Sequence, residues 1–131
     1  AHRISYLIVG GYAVGFHGYP RATADIDIWV PRRRDTAQQL VAVLRAFGFD
    51  TPQLSTELFL QPDQVIRLGT PPIRIELLTT IAGVDFNACY ARAVRTTFDD
   101  VEVRVIGLDD LKANKRAAGR HQDLADLDHL P

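Results

Sequence analysis

The start of the chain alternates short apolar runs with turn residues. The run Tyr6–Val9 is apolar and rich in residues that favour β-structure, and it ends at Gly10-Gly11, which predicts a buried strand. Residues 12–18 predict a short helix, and residues 24–30 predict a second strand that Pro31 closes. We therefore expect a β-α-β arrangement at this end of the chain.

A helical period begins at Asp35. Apolar residues then recur at intervals of three and four, which is typical of one face of an amphipathic helix. These residues are Ala37, Leu40, Val41, Leu44 and Phe47. Gly48 lies where a left-handed C-terminal cap is expected, so we predict that the helix ends there.

Shorter elements follow this helix. We predict strands at residues 57–60 and 64–68 around a turn at Pro62-Asp63, then a loop at 69–72 and a strand at 73–78. The next predicted elements are a helix at 86–94, a strand at 101–106, and helices at 109–118 and about 122–130. This order predicts an α/β (α+β) fold, in which helices pack on a sheet and a short helical tail follows. We expect one domain over residues 1–131, with a core to about residue 107 and the tail from about residue 108.

Composition and charge narrow the functional classes. The chain has 131 residues, a hydrophobic fraction of 47% and a formal net charge of −1, so no global positive field attracts nucleic acid, and we expect no DNA partner. Neither an apolar run long enough to span a bilayer nor a secretory signal is visible, so we expect a cytoplasmic protein with no membrane partner. The single cysteine, Cys89, is predicted to be buried. The chain contains no Met and starts at Ala1, so we expect that a native N-terminal segment is missing.

The segment around Asp25 and Asp27 carries the clearest chemical signal. Strand alternation places both carboxylates on one face and Ile26, Ile28 and Val30 on the other. Two carboxylates this close repel each other unless a cation offsets them, and such oxygen pairs suit Mg²⁺ together with substrate phosphates. The alternative is an edge strand whose polar face meets water.

The glycine pair upstream points in the same direction. Gly10-Gly11 follows a predicted strand and precedes a predicted helix, where free backbone N–H groups and the helix dipole bind anions. A residue without a Cβ lets a phosphate approach the chain closely. A plain strand-to-helix turn is the alternative interpretation.

Together these motifs resemble the signature of the DNA polymerase β-like nucleotidyltransferase superfamily. Val9-Gly10-Gly11 matches its first element, and Asp25-Ile26-Asp27-Ile28 matches its carboxylate strand, with Asp25 lying 14 positions after Gly11. Arg21-Ala22-Thr23 is similar to the Arg-x-Thr segment of bacterial members. The resemblance implies a nucleotidyltransferase fold with a mixed β-sheet and flanking helices. It also implies that Gly10, Gly11, Arg21 and Thr23 bind the nucleotide.

A third carboxylate of that family lies on a later central strand. Glu76 within Ile75-Glu76-Leu77-Leu78 matches its order and context, although the family more often has Asp there. The resemblance implies that Asp25, Asp27 and Glu76 are the catalytic and metal-binding residues. For Glu76 the alternative is a salt bridge with Arg74 or Arg67.

The C-terminal segment is similar to bacterial toxin-type nucleotidyltransferases from type IV toxin–antitoxin and phage-defence loci. The similarity is carried by Lys115, Arg116 and the Asp-Leu-Ala-Asp-Leu run at residues 123–127. It implies Mg²⁺- or Mn²⁺-dependent transfer of a nucleoside monophosphate from an NTP to an RNA (tRNA) or protein hydroxyl, with an antitoxin or other protein as a further partner. A non-catalytic nucleotide- or partner-binding module of the same fold is the first alternative. A regulatory RNA-binding domain that uses the Arg32–Arg34 run is the second.

Lys115 occupies an apolar position of its helix. The stripe Leu108, Leu111 continues at Lys115 rather than at another aliphatic residue, so this lysine is predicted to face inward. A buried ammonium needs an anion. Three interpretations stay open: Lys115 binds a nucleotide phosphate while Asp123 holds it, it forms a structural pair with Asp123, or it snorkels to water. For Trp29, on the carboxylate strand, we expect a core position rather than stacking on a base.

Overall fold

A mixed six-stranded β-sheet with five α-helices forms the part of the chain that the computed structural model describes, residues 4–20, 25–49, 51–70, 73–98 and 100–131. The strands are β1 (Leu7–Val9), β2 (Asp25–Trp29), β3 (Val65–Thr70), β4 (Ile73–Leu78), β5 (Val94–Phe98) and β6 (Val101–Val105). The helices are α1 (Gly10–Phe16), α2 (Arg34–Ala46), α3 (Phe86–Ala91), α4 (Leu108–Ala118) and α5 (His121–His129). The predicted α/β (α+β) class is confirmed. Within these ranges, none of the helices has the length and apolar character needed to cross a membrane.

The strand order in the sheet is β3-β4-β2-β1-β6-β5. Strand β2 is central, antiparallel to β1 and parallel to β4. Strand β1 is parallel to β6, and the hairpins β3–β4 and β5–β6 are antiparallel. The mixed sheet therefore holds the carboxylate strand β2 between two partners, not at an edge.

Side-chain alternation along β2 divides the core between the two faces of the sheet. Trp29 packs on the face with α1, α3 and α4, whereas Ile28 and Val30 pack on the face with α2. Trp29 is 3% exposed and meets Phe86 edge to face, so the predicted core position is confirmed. Cys89 is also buried as predicted, and desolvation raises the pKa of its thiol to about 11.

The strand predicted at residues 57–60 is wrong. Glu57–Leu60 is a 3-10 helix. The backbone N–H of Leu58 donates to the Ser55 hydroxyl at 3.3 Å, and the fully buried Phe59 inserts below α2. A short apolar run fits a strand and a buried turn of helix equally well, and here the local hydrogen bond and the burial of Phe59 favour the turn of helix.

Two predicted boundaries are also wrong. Residues 69 and 70 were expected in a loop, but β3 continues through Thr70 because Gly69 and Thr70 pair with β4. The helix expected over 86–94 ends at Ala91, and the missed strand β5 begins at Val94 and pairs with β6. In both places the deciding interaction is cross-strand pairing, which a local pattern does not contain.

Helix α4 is fixed in place by the loop between β4 and α3. Asn114 donates to the carbonyl oxygen of Ala82 at 2.9 Å. At Gly83, φ is +78°, and a Cβ built there would lie 2.4 Å from the Cβ of Ala117. Only glycine fits this close approach, and it sets the position of the helix that carries Lys115.

We predict that Gly83→Ala destabilises the protein more than the matched variant Gly48→Ala. Both positions have positive φ, but a Cβ at Gly48 meets nothing within 4 Å. Gly48→Ala is expected to lower the free energy of unfolding by about 1 kcal/mol, and Gly83→Ala by about 1–3 kcal/mol more because it overpacks the contact. Urea denaturation measures both. Equal losses would show that the loop does not press on α4.

Candidate functional site

The register of the sheet brings the predicted carboxylates together. Asp27 on β2 is the direct strand partner of Glu76 on β4, and Glu76 is the partner of Arg67 on β3. One step along, Asp25 is the partner of Arg74. Because β2 and β4 are parallel and paired in this register, both acidic residues of β2 lie beside a charged residue of β4.

This polar group lies at one end of a face that is otherwise core. Trp29 and its strand partner Leu78 continue the same rows of side chains and pack into the first hydrophobic cluster. The face therefore changes from apolar to acidic within two residues of β2. The apolar half secures the strand, and the acidic half faces a cavity at the start of α1.

Asp27 is the most perturbed of these carboxylates. Desolvation, the neighbouring charge of Glu76 and a hydrogen bond that protonated Asp27 donates to Glu76 raise the pKa of Asp27 to about 6. Among the described residues, its Oδ1 atom is buried without a hydrogen-bond partner. A Cβ at Gly10 would lie 2.2 Å from Asp27 Oδ2, so only glycine allows α1 to begin this close to the carboxylate.

The two flanking carboxylates each meet an arginine. Arg74 donates to both oxygens of Asp25, at 2.9 and 3.0 Å, and this pair holds the pKa of Asp25 below its ordinary value. Arg67 donates to Glu76 at 3.0 Å. The salt bridge proposed as the alternative for Glu76 therefore exists, with Arg67 as the partner. Across the described ranges, no group of three or more His, Cys, Asp or Glu side chains is arranged to hold a metal ion.

Lys115 on α4 faces inward, as predicted. Lys115 is 4% exposed. Its Nζ lies 3.1 Å from Asp123 Oδ1 and 3.0 Å from Asp126 Oδ2 on α5. This burial rules out the snorkelling interpretation, and the expected pair with Asp123 is present. The contact of Lys115 with Asp126 was not predicted. Asp126 follows Asp123 by three residues and therefore lies on the same face of α5.

Arg120 is a second residue that the sequence analysis missed. It lies at the N-cap of α5, and its guanidinium lies 2.7 Å from Asp123. Burial raises the pKa of Asp123, but hydrogen bonds from Arg120 and Lys115 outweigh it, and the pKa lies below its ordinary value. Both cations also interact electrostatically with Asp27. The spacing of three residues between Arg120 and Asp123 was the available signal.

The carboxylates of the sheet and the charged residues of the two tail helices line one cavity of about 270 Å³. Its acidic wall comes from the sheet and α1, and its basic wall comes from the two tail helices. The residues of the first wall are Gly10, Gly11, Asp25, Asp27 and Glu76. Those of the second are Lys115, Arg120, Gln122 and Asp123. Six of the eight predicted site residues thus meet in one place, whereas Arg21 and Thr23 lie outside the described residues.

The donor set of the acidic wall fits a hard divalent cation. Such a cation takes carboxylate oxygens, and Mg²⁺ is commonly held by one or two carboxylates while phosphates and water complete its shell. The buried Oδ1 of Asp27 lacks a partner in the described part of the chain, and a cation there would also offset the repulsion between Asp27 and Glu76. Asp25 and Asp27 are the residues that fit this role.

The Arg32–Arg34 run is solvent exposed and partly engaged. Arg34 forms an exposed ion pair with Glu57, and Arg33 donates to Asn87 and lies over the ring of Phe86. Arg32 and Arg33 line a different cavity, together with Trp29 and Phe86, and not the cavity with the carboxylates.

In the comparisons with known proteins, no family model matches the chain, and no curated protein matches it either.

We predict opposite effects of neutralising the two aspartates in metal-free buffer. The folded state keeps the Asp27 proton up to about pH 6, whereas the unfolded chain loses it near 3.8, so the contribution of Asp27 to stability falls as the pH rises between these values. Asp27→Asn cannot ionise, and it should melt above wild type at pH 7 with a smaller advantage near pH 4. Asp25→Asn, the matched control, loses its pair with Arg74 and should melt below wild type at pH 7.

Thermal melts in EDTA at the two pH values measure this. An Asp27→Asn variant that melts below wild type at pH 7 would make Asp27 a structural residue.

We predict that Lys115→Ala lowers the free energy of unfolding by about 3–5 kcal/mol, because it removes the ammonium that contacts the buried carboxylates of both Asp123 and Asp126. The neighbouring Arg116 is exposed on the same helix, so Arg116→Ala should change stability by less than about 0.5 kcal/mol. Denaturant titration of both variants provides the comparison. A Lys115→Ala variant as stable as Arg116→Ala would show that the buried pair does not stabilise the tail.

Proposed function

We propose that the protein is a metal-dependent nucleotidyltransferase that moves a nucleoside monophosphate from an NTP to an acceptor hydroxyl and releases pyrophosphate. The observation that carries the proposal is Asp27, a desolvated carboxylate with a buried oxygen that lacks a partner among the described residues. It lies in a cavity between the start of α1 and the cationic residues of the tail helices. We further propose that the mixed sheet has the nucleotidyltransferase fold, since β2 and β4 carry acidic residues in the order that the sequence resemblance implies.

Gly10 and Gly11 are suited to the phosphates of the nucleotide. Both line the cavity, and Gly10 leaves no Cβ between the start of α1 and the carboxylate of Asp27. The N-cap residue Val9 makes no side-chain hydrogen bond to the first turn of α1. We infer that the backbone N–H groups of this turn donate to phosphate oxygens.

Lys115 and Arg120 supply positive charge on the opposite wall. Asp123 and Asp126 hold the Lys115 ammonium in a fixed position, and Arg120 remains 77% exposed in its side chain. On the tail side of the cavity, a triphosphate would therefore meet a buried ammonium and an exposed guanidinium, both of which are oriented by Asp123. We propose that both stabilise the charge that develops on the departing pyrophosphate.

Asp25 and Asp27 would hold Mg²⁺ or Mn²⁺. When bound, the metal supplies charge neutralisation for the attacking and leaving oxygens of an in-line displacement. Glu76 lies beside Asp27 and shares a hydrogen bond with it. We propose that Glu76 either completes the metal site or accepts the proton of the attacking hydroxyl at its carboxylate oxygen.

The sequence resemblance extends the proposal to the acceptor and the setting. By that resemblance the acceptor is an RNA, in particular a tRNA, or a protein hydroxyl, and the protein acts in the bacterial cytoplasm as a toxin–antitoxin or phage-defence component with an antitoxin or other protein partner. Arg21 and Thr23 would help to bind the nucleotide.

A non-catalytic nucleotide- or partner-binding module is the second candidate. It is favoured by the arginine pairs, because Arg74 and Arg67 engage carboxylate oxygens of Asp25 and Glu76 that a metal ion would need. A domain with these pairs fixed would bind a nucleotide between the walls without turnover.

We predict that the protein incorporates label from at least one α-labelled NTP into a macromolecule of a bacterial lysate in Mg²⁺ and not in EDTA. Asp27→Asn should lower this labelling by roughly 10²–10³-fold, the range for losing one electrostatic contact in the transition state. The exposed Asp109 provides the control, and Asp109→Asn should label like wild type.

Nucleotide binding without any labelling would favour the second candidate. Labelling by Asp27→Asn at the wild-type rate would contradict the proposed mechanism.

A further inference from the structure

Arg74 grips the carboxylate that we assign to the metal. Its Nε donates to Asp25 Oδ1 at 2.9 Å and its Nη2 donates to Asp25 Oδ2 at 3.0 Å, so both oxygens of Asp25 accept from one guanidinium. The two residues are also direct partners in the β2–β4 register, so the backbone brings them together. A cation that binds Asp25 has to share or displace these hydrogen bonds.

The positive charge beside the three carboxylates is distributed unevenly. Arg74 neutralises Asp25 and Arg67 neutralises Glu76, but Asp27 between them is desolvated, with an oxygen that has no partner among the described residues. The arginines thus stabilise the outer carboxylates, and the carboxylate between them keeps its repulsion with Glu76. A divalent cation at Asp27 would draw Asp25 away from Arg74.

A released guanidinium would remain beside the cavity. The side chain of Arg74 is 33% exposed and its partner Asp25 lines the cavity, so a guanidinium that leaves Asp25 stays next to that space. A guanidinium group binds a phosphate through two parallel hydrogen bonds, as it binds a carboxylate. A nucleotide phosphate in the adjacent cavity is therefore a chemically equivalent partner for the one that Arg74 would lose.

We propose that Arg74 is a positioning residue that holds Asp25 in the metal-free protein. When a divalent cation binds, the Arg74 guanidinium leaves Asp25 and forms hydrogen bonds to a nucleotide phosphate. This inference rests on the proposed function for its nucleotide step, and on the observed ion pair for its metal step. Arg74 then has opposite effects on the two affinities. It weakens metal binding, because it competes for Asp25, and it strengthens nucleotide binding.

The test compares Arg74→Gln with the control Arg67→Gln. Each variant removes one positive charge from the same face, but only the first releases Asp25. Arg67 makes a single hydrogen bond to Glu76 and is 60% exposed. Mn²⁺ binding to the nucleotide-free protein is measured by electron paramagnetic resonance, and binding of a non-hydrolysable ATP or GTP analogue in Mg²⁺ by calorimetry.

Arg74→Gln is expected to bind Mn²⁺ about two- to fivefold more tightly than wild type, because a partly exposed ion pair no longer competes. It should bind the nucleotide roughly ten- to a hundredfold more weakly, because a charged hydrogen-bond donor is lost. Arg67→Gln removes only one mostly exposed hydrogen bond to Glu76, so it should tighten Mn²⁺ binding by less than Arg74→Gln does, about twofold at most, and leave the nucleotide affinity unchanged. Arg74→Lys, which keeps the charge but not the fork, should recover only part of the nucleotide affinity.

A merely structural Arg74 would lower both affinities together with the melting temperature, and that result would overturn the inference. Unchanged affinities in Arg74→Gln would overturn it as well. If wild type binds Mn²⁺ but neither nucleotide, the proposed function fails, while tighter Mn²⁺ binding by Arg74→Gln would still support the competition.

Discussion

Asp27 is held against a second carboxylate by the pairing of two parallel strands. Neither β2 nor β4 can shift by one residue without turning Trp29, Ile28 and Leu77 out of their hydrophobic clusters. The energy of the two cores thus keeps Asp27 and Glu76 adjacent although their charges repel. Gly10, the cavity and the tail helices are all arranged around this imposed contact.

The cations of the tail helices offset the negative charge of Asp27 without forming an ion pair with it. Lys115 is fixed by Asp123 and Asp126, so its charge belongs to a buried network and not to Asp27. Lys115 and Arg120 nevertheless interact electrostatically with Asp27 across the cavity. The cavity between them is therefore suited to an anion that binds together with a cation. A metal–nucleotide complex has this charge pattern, with a cation for the acidic wall and phosphates for the basic wall.

Much of the site was predictable because its signals are local. Strand alternation put Asp25 and Asp27 on one face, and the helical stripe turned Lys115 inward. The missed features depend on contacts between separate elements, which the local pattern of each element does not contain. Strand β5 exists because it pairs with β6, and the partnership of Asp126 with Lys115 depends on how α5 crosses α4. The error at residues 57–60 has another origin, since a short apolar run is compatible with both a strand and a buried turn of helix.

The central claim is that Asp27 and Asp25 bind a divalent cation that carries a nucleotide. Crystals grown with Mn²⁺ and a non-hydrolysable NTP, measured at the manganese absorption edge, test it directly. We predict an anomalous peak within coordination distance of Asp27 Oδ1 and of an Asp25 oxygen, with the phosphates between Gly10-Gly11 and Lys115. A nucleotide bound elsewhere, or manganese away from both aspartates while Asp27 keeps its hydrogen bond to Glu76, would contradict it.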